Sequence, residues 1–230
     1  MIKLTKNLKK IIENYKKNKI YNLKESLEII KKYSFTKFIP TINLTINLDI
    51  KNIKNFNLKK TIYLPHSNGK KYNLLVLIDK YYRKKILNMG IKLVGGMNYI
   101  NKIEKYKWTK FDLIISNKYY MEKLLKLGRI LGVKNLMPSY EEDTIIDNYS
   151  KKSLKMIKKI ILGKRLLIKP DKYGILHLIV GKNNIINEKI IKNISFIIKY
   201  LKTIKFNGKN LYIDSIYINS TMSPSLKLKL

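Results

Sequence analysis

From Ile42 to Asp49 apolar and polar residues alternate without a break, Ile42, Leu44, Ile46 and Leu48 against Asn43, Thr45, Asn47 and Asp49. A period of two over that length predicts a strand with one dry and one wet face, the habit of antiparallel sheets. The middle of the chain obeys a different rule. Leu74 to Ile78, Leu93-Val94 and Leu113 to Ile115 are unbroken apolar runs, followed by helical patterns near Tyr81 to Met89, Met97 to Lys105 and Lys118 to Leu127. Strands that alternate with helices predict right-handed crossovers and a small parallel sheet.

After a loop from Pro138 to Asp147 the first style returns. A helix near Leu154 to Leu162 leads to a strand at Arg165 to Ile168, and Pro170-Asp171-Lys172-Tyr173-Gly174 supplies a turn before the strand Ile175 to Val180. A long amphipathic helix then turns Ile190, Ile191, Ile194, Ile198 and Leu201 inward, and Leu211 to Ser220 reads as the last strand. Near the N-terminus Asn22 to Lys32 reads as a helix with Asn22 as N-cap and Glu25 completing a capping box. The expected fold is an α+β discontinuous domain, an antiparallel sheet with helices on one face, built from residues 1–66 plus 153–230. Residues 67–152 form an inserted α/β Rossmann-like parallel-sheet domain, and two backbone crossings make a hinge.

Composition then narrows the function. The chain of 230 residues carries 49 Lys+Arg against 15 Asp+Glu, a formal net charge of +34. Cys is absent and His occurs only at His66 and His177, which excludes disulfides, thiolate chemistry and a histidine-built zinc site. Lys interrupts every apolar run short of a membrane span, so a soluble protein is expected. The Lys-rich segment Met1 to Lys19 resembles a transit peptide only weakly, since it holds Glu13 and little Ser. All basic residues but Arg83, Arg129 and Arg165 are Lys, and Ala and Gln are absent, a usage that follows AT-rich codons. Genome drift therefore accounts for part of the charge, and the remainder asks for a polyanionic partner, nucleic acid first and an anionic membrane surface second.

Enzyme signatures are sparse. Gly95-Gly96 after Leu93-Val94 fits a tight turn better than a dinucleotide site. Glu141, Glu142, Asp143 and Asp147 could hold Mg²⁺ or act as an acid and base pair, but fit a solvated loop better, and His66 has no partner placed by sequence. The outer segments offer more. Ser34-Phe35-Thr36-Lys37-Phe38-Ile39-Pro40-Thr41 and Ser215 with Ser220-Thr221-Met222-Ser223-Pro224-Ser225 set hydroxyls beside an apolar side chain and close to lysines. That mixture suits an RNA minor groove, where hydroxyls meet 2′-OH and phosphate while Phe or Met packs on a ribose or base. A core Phe38 and strand-end turn chemistry would explain the same residues.

Tyr21 to Ile50, Leu64-Pro65-His66, Gly90 to Gly95, Phe111 to Ser116, Gly128 to Pro138, Asp171-Lys172 with Gly174 and His177, and Ser215 to Ser225 stand in an order and spacing that resembles the bacterial-type large-subunit stalk protein family, universal large-subunit ribosomal protein one. The resemblance covers nearly the whole chain. It implies a domain of both termini that holds the large-subunit rRNA of the stalk, a mobile insert, release of deacylated tRNA from the exit site, and repression of the protein's own mRNA through a stalk-like element. It also implies no catalysis, no cofactor, no metal, and a cytoplasmic, ribosome-bound protein of a bacterium or an organelle. The family's RNA-contacting positions fall on Glu25, Lys37, Phe38, Thr41, Asp171, Lys172, His177, Ser215, Thr221, Met222 and Ser223. Ser223 replaces the family's usual Gly, which is costly if the backbone there needs positive φ, and Val133 and Asn135 stand where the family has Pro and Gly. The rival reading is a nucleotide- or phosphosugar-using enzyme with its site at the strand ends of the insert. A nonspecific basic binder whose charge is all drift is the third.

Overall fold

The computed structural model describes residues 19–49, 58–146, 150–206 and 209–229, so Asp147 and all but the last residue of the Met1 to Lys19 segment lie outside it. In chain order the elements are β1 (Ile20–Tyr21), α1 (Leu23–Lys32), β2 (Thr41–Asp49), β3 (Lys60–Tyr63), β4 (Leu74–Leu77), α2 (Lys80–Leu87), β5 (Leu93–Gly95), α3 (Met97–Tyr106), β6 (Leu113–Ser116), α4 (Lys118–Leu125) and α5 (Gly128–Leu131). They continue with α6 (Lys151–Ile161), β7 (Arg165–Ile168), β8 (Ile175–Lys182), α7 (Asn187–Thr203), β9 (Lys205–Phe206), β10 (Lys209–Asn210), β11 (Tyr212–Ser220) and β12 (Leu226–Leu228). The chain divides into two compact units, Met1–Gly69 with Leu166–Leu230, and Lys70–Arg165. The second unit thus runs further than residue 152, because α6 belongs with the insert rather than with the outer segments.

The first unit is organised by a five-stranded sheet in the order β1-β12-β11-β2-β8. Its inner face is a ladder of matched alternations: Ile46 stands between Ile216 and Leu176, and Leu44 between Ile218 and Leu178. A slip of one residue would turn each of these out to water, so burial fixes the register. Leu27 and Ile30 of α1 and Ile190, Ile194, Ile197 and Leu201 of α7 cover that face. Ile191 and Ile198, expected inward, are only partly buried against it. At the centre Asn193 of α7 is fully buried and satisfied, accepting from the His66 N–H at 3.0 Å and donating to the Val180 carbonyl at 3.1 Å. The Lys31 side chain donates to the Ile185 carbonyl, and burial lowers its pKa from the ordinary lysine value.

Four expectations need correction. The sheet is mixed, not antiparallel, because β1 runs parallel to β12. A further strand, β12, follows the one expected to be last. β7 leaves the main sheet and pairs with β3 instead. Asn22 has extended N-cap geometry at φ −71° and ψ 152°, but its side chain makes no capping bond.

The second unit holds three parallel strands in the order β5-β4-β6. All of Leu74–Leu77 and Leu113–Ser116 are buried, which explains why these runs do not alternate. The acidic loop is not simply solvated, since Glu142 and Arg165 form a buried ion pair at 2.9 Å. At the carboxyl ends of β4 and β5 the buried Tyr120 phenol donates to Asp79 Oδ1 at 3.1 Å, and a Cβ on Gly96 would lie 2.7 Å from the Tyr120 phenol oxygen. Gly96 is small because this phenol needs the room.

Burial and the Asp79 carboxylate push the Tyr120 pKa up to about 12. The folded value exceeds the ordinary tyrosine value near 10, so the stabilisation is whole below pH ~10 and is lost as pH climbs toward ~12. Alkaline melting curves should therefore show a loss across that window that Tyr120→Phe reduces. Glu142→Ala strands the buried guanidinium and should cost about 3 kcal/mol in denaturant unfolding, and adding Arg165→Met should restore most of it.

Candidate nucleic-acid interface

The two hydroxyl-bearing segments, 180 residues apart in the chain, meet at one end of the sheet. The Thr41 and Thr221 hydroxyls lie 3.1 Å apart, the Thr41 N–H donates to Thr221 Oγ1 at 3.3 Å, and the Thr221 N–H donates to the Thr41 carbonyl at 3.1 Å. Antiparallel pairing makes this meeting inevitable: with Ile42 opposite Ser220, the next residues outward on β2 and β11 must face each other. The turn after β8 joins them, since Thr41 lies opposite Lys182 and the Asn183 N–H donates to the Pro40 carbonyl at 3.0 Å.

Around this paired end the apolar side chains are open to water. Phe38 is 57% exposed and Met222 is 60% exposed, and Lys37 is exposed beside Phe38. Phe38 is thus not a core residue. Thr36 Oγ1 donates to the Phe38 carbonyl at 2.8 Å, which shapes the backbone and leaves the ring unoccupied. Met222 adopts φ 69°, a left-handed conformation that costs a side-chain-bearing residue about 1–2 kcal/mol. The expected strain site is therefore one residue away from Ser223. Ser223 accepts from the Ser220 N–H at 2.8 Å and closes the turn through its own side chain, a bond that a glycine there could not make. At the other departure Asn135 takes φ 53°, the left-handed conformation that its side chain tolerates.

The remaining predicted residues spread over the sheet. His177 is exposed on the outer face opposite Thr45, with Tyr217 on the other side of Thr45. Ser215 is buried opposite Asn47 near a register shift in β11, and accepts from Asn47 Nδ2 at 2.9 Å. Asp171 is exposed, but its carboxylate is committed to the turn, accepting from the N–H groups of Tyr173 at 2.9 Å and Ile175 at 2.7 Å. That turn presents Lys172 and Tyr173 to solvent. Glu25 is exposed on the first turn of α1. The seven residues from Thr41 to Asn47 span roughly 20 Å, so face and end together match an extended partner better than a small molecule. Asn47, Lys182 and Asn183 were missed by sequence reasoning. The alternation already put Asn47 on the wet face, whereas nothing local identifies Lys182 and Asn183, whose places depend on register.

Among the described residues no group of three His, Asp or Glu side chains could hold a metal ion. At the carboxyl ends of β4 and β5, where a nucleotide would enter, the Tyr120 phenol stands beside Asp79 and Gly96. No helix of the described residues is long and apolar enough to cross a membrane.

The large ribosomal subunit protein uL1 of Mycoplasma genitalium is 34% identical, over 100% of this chain and 99% of its own length. The proteins of that name from Borreliella burgdorferi and Bacteroides thetaiotaomicron are 34% and 35% identical, over 98% and 99% of this chain and 98% and 97% of theirs. Residues 30–224 match the Ribosomal protein L1p/L10e family, and the chain belongs to that family, in its bacterial type, among structural proteins of the ribosome rather than enzymes.

Proposed function

We propose that the protein binds large-subunit rRNA at the mobile stalk near the tRNA exit site, and that the paired strand end with the outer sheet face is the surface that holds it. The observation that carries this reading is the exposure of Phe38 and Met222 on either side of the Thr41–Thr221 pair. Two large apolar side chains open to water beside fixed hydroxyls and Lys37 fit an RNA minor groove, where ribose and base edges meet apolar atoms and 2′-OH groups meet hydroxyls. The strain at Met222 fits the same account, because a left-handed non-glycine residue is tolerated where its side chain is needed. In this reading the second unit moves with the stalk, assists release of deacylated tRNA, and the same surface represses translation of the protein's own mRNA through a stalk-like hairpin. The ribosome is of bacterial type.

Thr221→Val is a poor probe, since its hydroxyl already ties the two strands together. Phe38→Ala and Met222→Gly remove side chains that are more than half exposed. Each should weaken binding to a stalk hairpin by about 1–3 kcal/mol relative to a scrambled RNA of equal length, measured by filter binding across a salt series. Met222→Gly should at the same time leave thermal stability unchanged or raised, because glycine accepts φ 69° without strain. Equal wild-type affinity for both RNAs at every salt would refute specific recognition.

A further inference from the structure

We propose that the outward face of α6, in the second unit, is a separate contact for the phosphate backbone of RNA. The exposed positions of this helix are Lys151, Lys152, Lys155, Lys158 and Lys159, and no Asp or Glu occurs in it. Ile157 and Ile160 on the opposite side are fully buried, so the lysines cannot turn away from solvent. Ser150 Oγ accepts the Ser153 N–H at 3.4 Å at the start of the helix, and Gly163 at φ 65° ends it. One turn of helix separates Lys151, Lys155 and Lys158/Lys159, about 6 Å per step, which yields a straight row of charges.

The row is unfavourable for the helix that carries it. Lys151 and Lys152 occupy the first turn, where the helix dipole disfavours cations. Lys151 with Lys155, Lys152 with Lys155 and Lys155 with Lys158 are like charges at spacings of three or four and repel one another. Helix α1 differs in its first turn, which holds Glu25, while both helices carry lysines in the last, Lys31 and Lys32 in α1 and Lys158 and Lys159 in α6. Lysine-rich composition alone therefore does not dictate this pattern. A polyanion lying along the row reverses each of these repulsions. A membrane surface fits less well, because a membrane-binding helix must offer an apolar face and that of α6 is in the core. That the polyanion is RNA rests on the function proposed above.

The test compares the full-length protein with a variant carrying Lys151→Gln, Lys152→Gln, Lys155→Gln and Lys158→Gln, using the stalk hairpin and the scrambled RNA across a salt series. The variant should melt at a higher temperature, bind both RNAs at low salt about tenfold or more weaker, and show a salt slope shallower by about 3, with its preference for the hairpin unchanged. The matching Lys→Arg variant should keep wild-type slope and affinity. An unchanged slope and affinity in the Gln variant would overturn the proposal and leave the Phe38 and Met222 surface standing. Loss of hairpin preference in wild type, with the slope change intact, would instead remove specific recognition and keep the lysine row.

Discussion

The structure depends on one strand being paired on both sides. β2 is hydrogen-bonded to β11 along one edge and to β8 along the other, and neither partner is its neighbour in sequence. Its burial therefore waits until the two most distant parts of the chain have come together. Closing so long a loop costs entropy only logarithmically in its length, so the insertion between them is thermodynamically tolerable. The matched ladder of Ile42, Leu44, Ile46 and Leu48 against β8 and β11 repays that cost and allows one register only. Everything at the Thr41 end follows from that register.

The candidate surface divides its labour accordingly. Several of its polar groups already bond within the protein: the threonine pair, Ser215 with Asn47, Asp171 within its own turn, and Ser223 with Ser220. These bonds fix the shape of the surface. What stays open is Phe38, Met222, Lys37, Lys172 and His177. An rRNA partner would meet a pre-organised surface, and preorganisation lowers the ordering cost of binding. The charge of +34 then has a narrower role than its size suggests. Under the proposed rRNA binding it would govern the strength and salt dependence, while a few side chains that carry little charge would decide which RNA is held.

Much of this was legible in the chain. The alternation at Ile42 to Asp49 and the unbroken run at Leu74 to Leu77 report local burial, which depends on each strand alone. What was not legible depends on distant partners. The Thr41–Thr221 meeting follows from register, the Tyr120 phenol explains Gly96 only after α4 has brought it to the residue that follows β5, and Glu142 finds Arg165 across 23 residues. The unmade capping box is a different kind of miss. The residue types at Asn22 and Glu25 permit the bonds, but an extended Asn22 backbone does not compel its side chain to form one. Likewise a helical wheel cannot tell Ile197 from Ile198 at the edge of a wide apolar stripe, and the sheet beneath α7 selects Ile197.

The most direct test of the account is co-sedimentation with large ribosomal subunits stripped of their own stalk protein and washed at high salt. Specific recognition by a preformed surface predicts stoichiometric retention after the wash, and loss of that retention in a Phe38→Ala, Met222→Gly double variant whose lysines are untouched. Release of the wild-type protein by the wash, or equal retention of the double variant, would contradict it, because either result would leave charge alone to explain the binding.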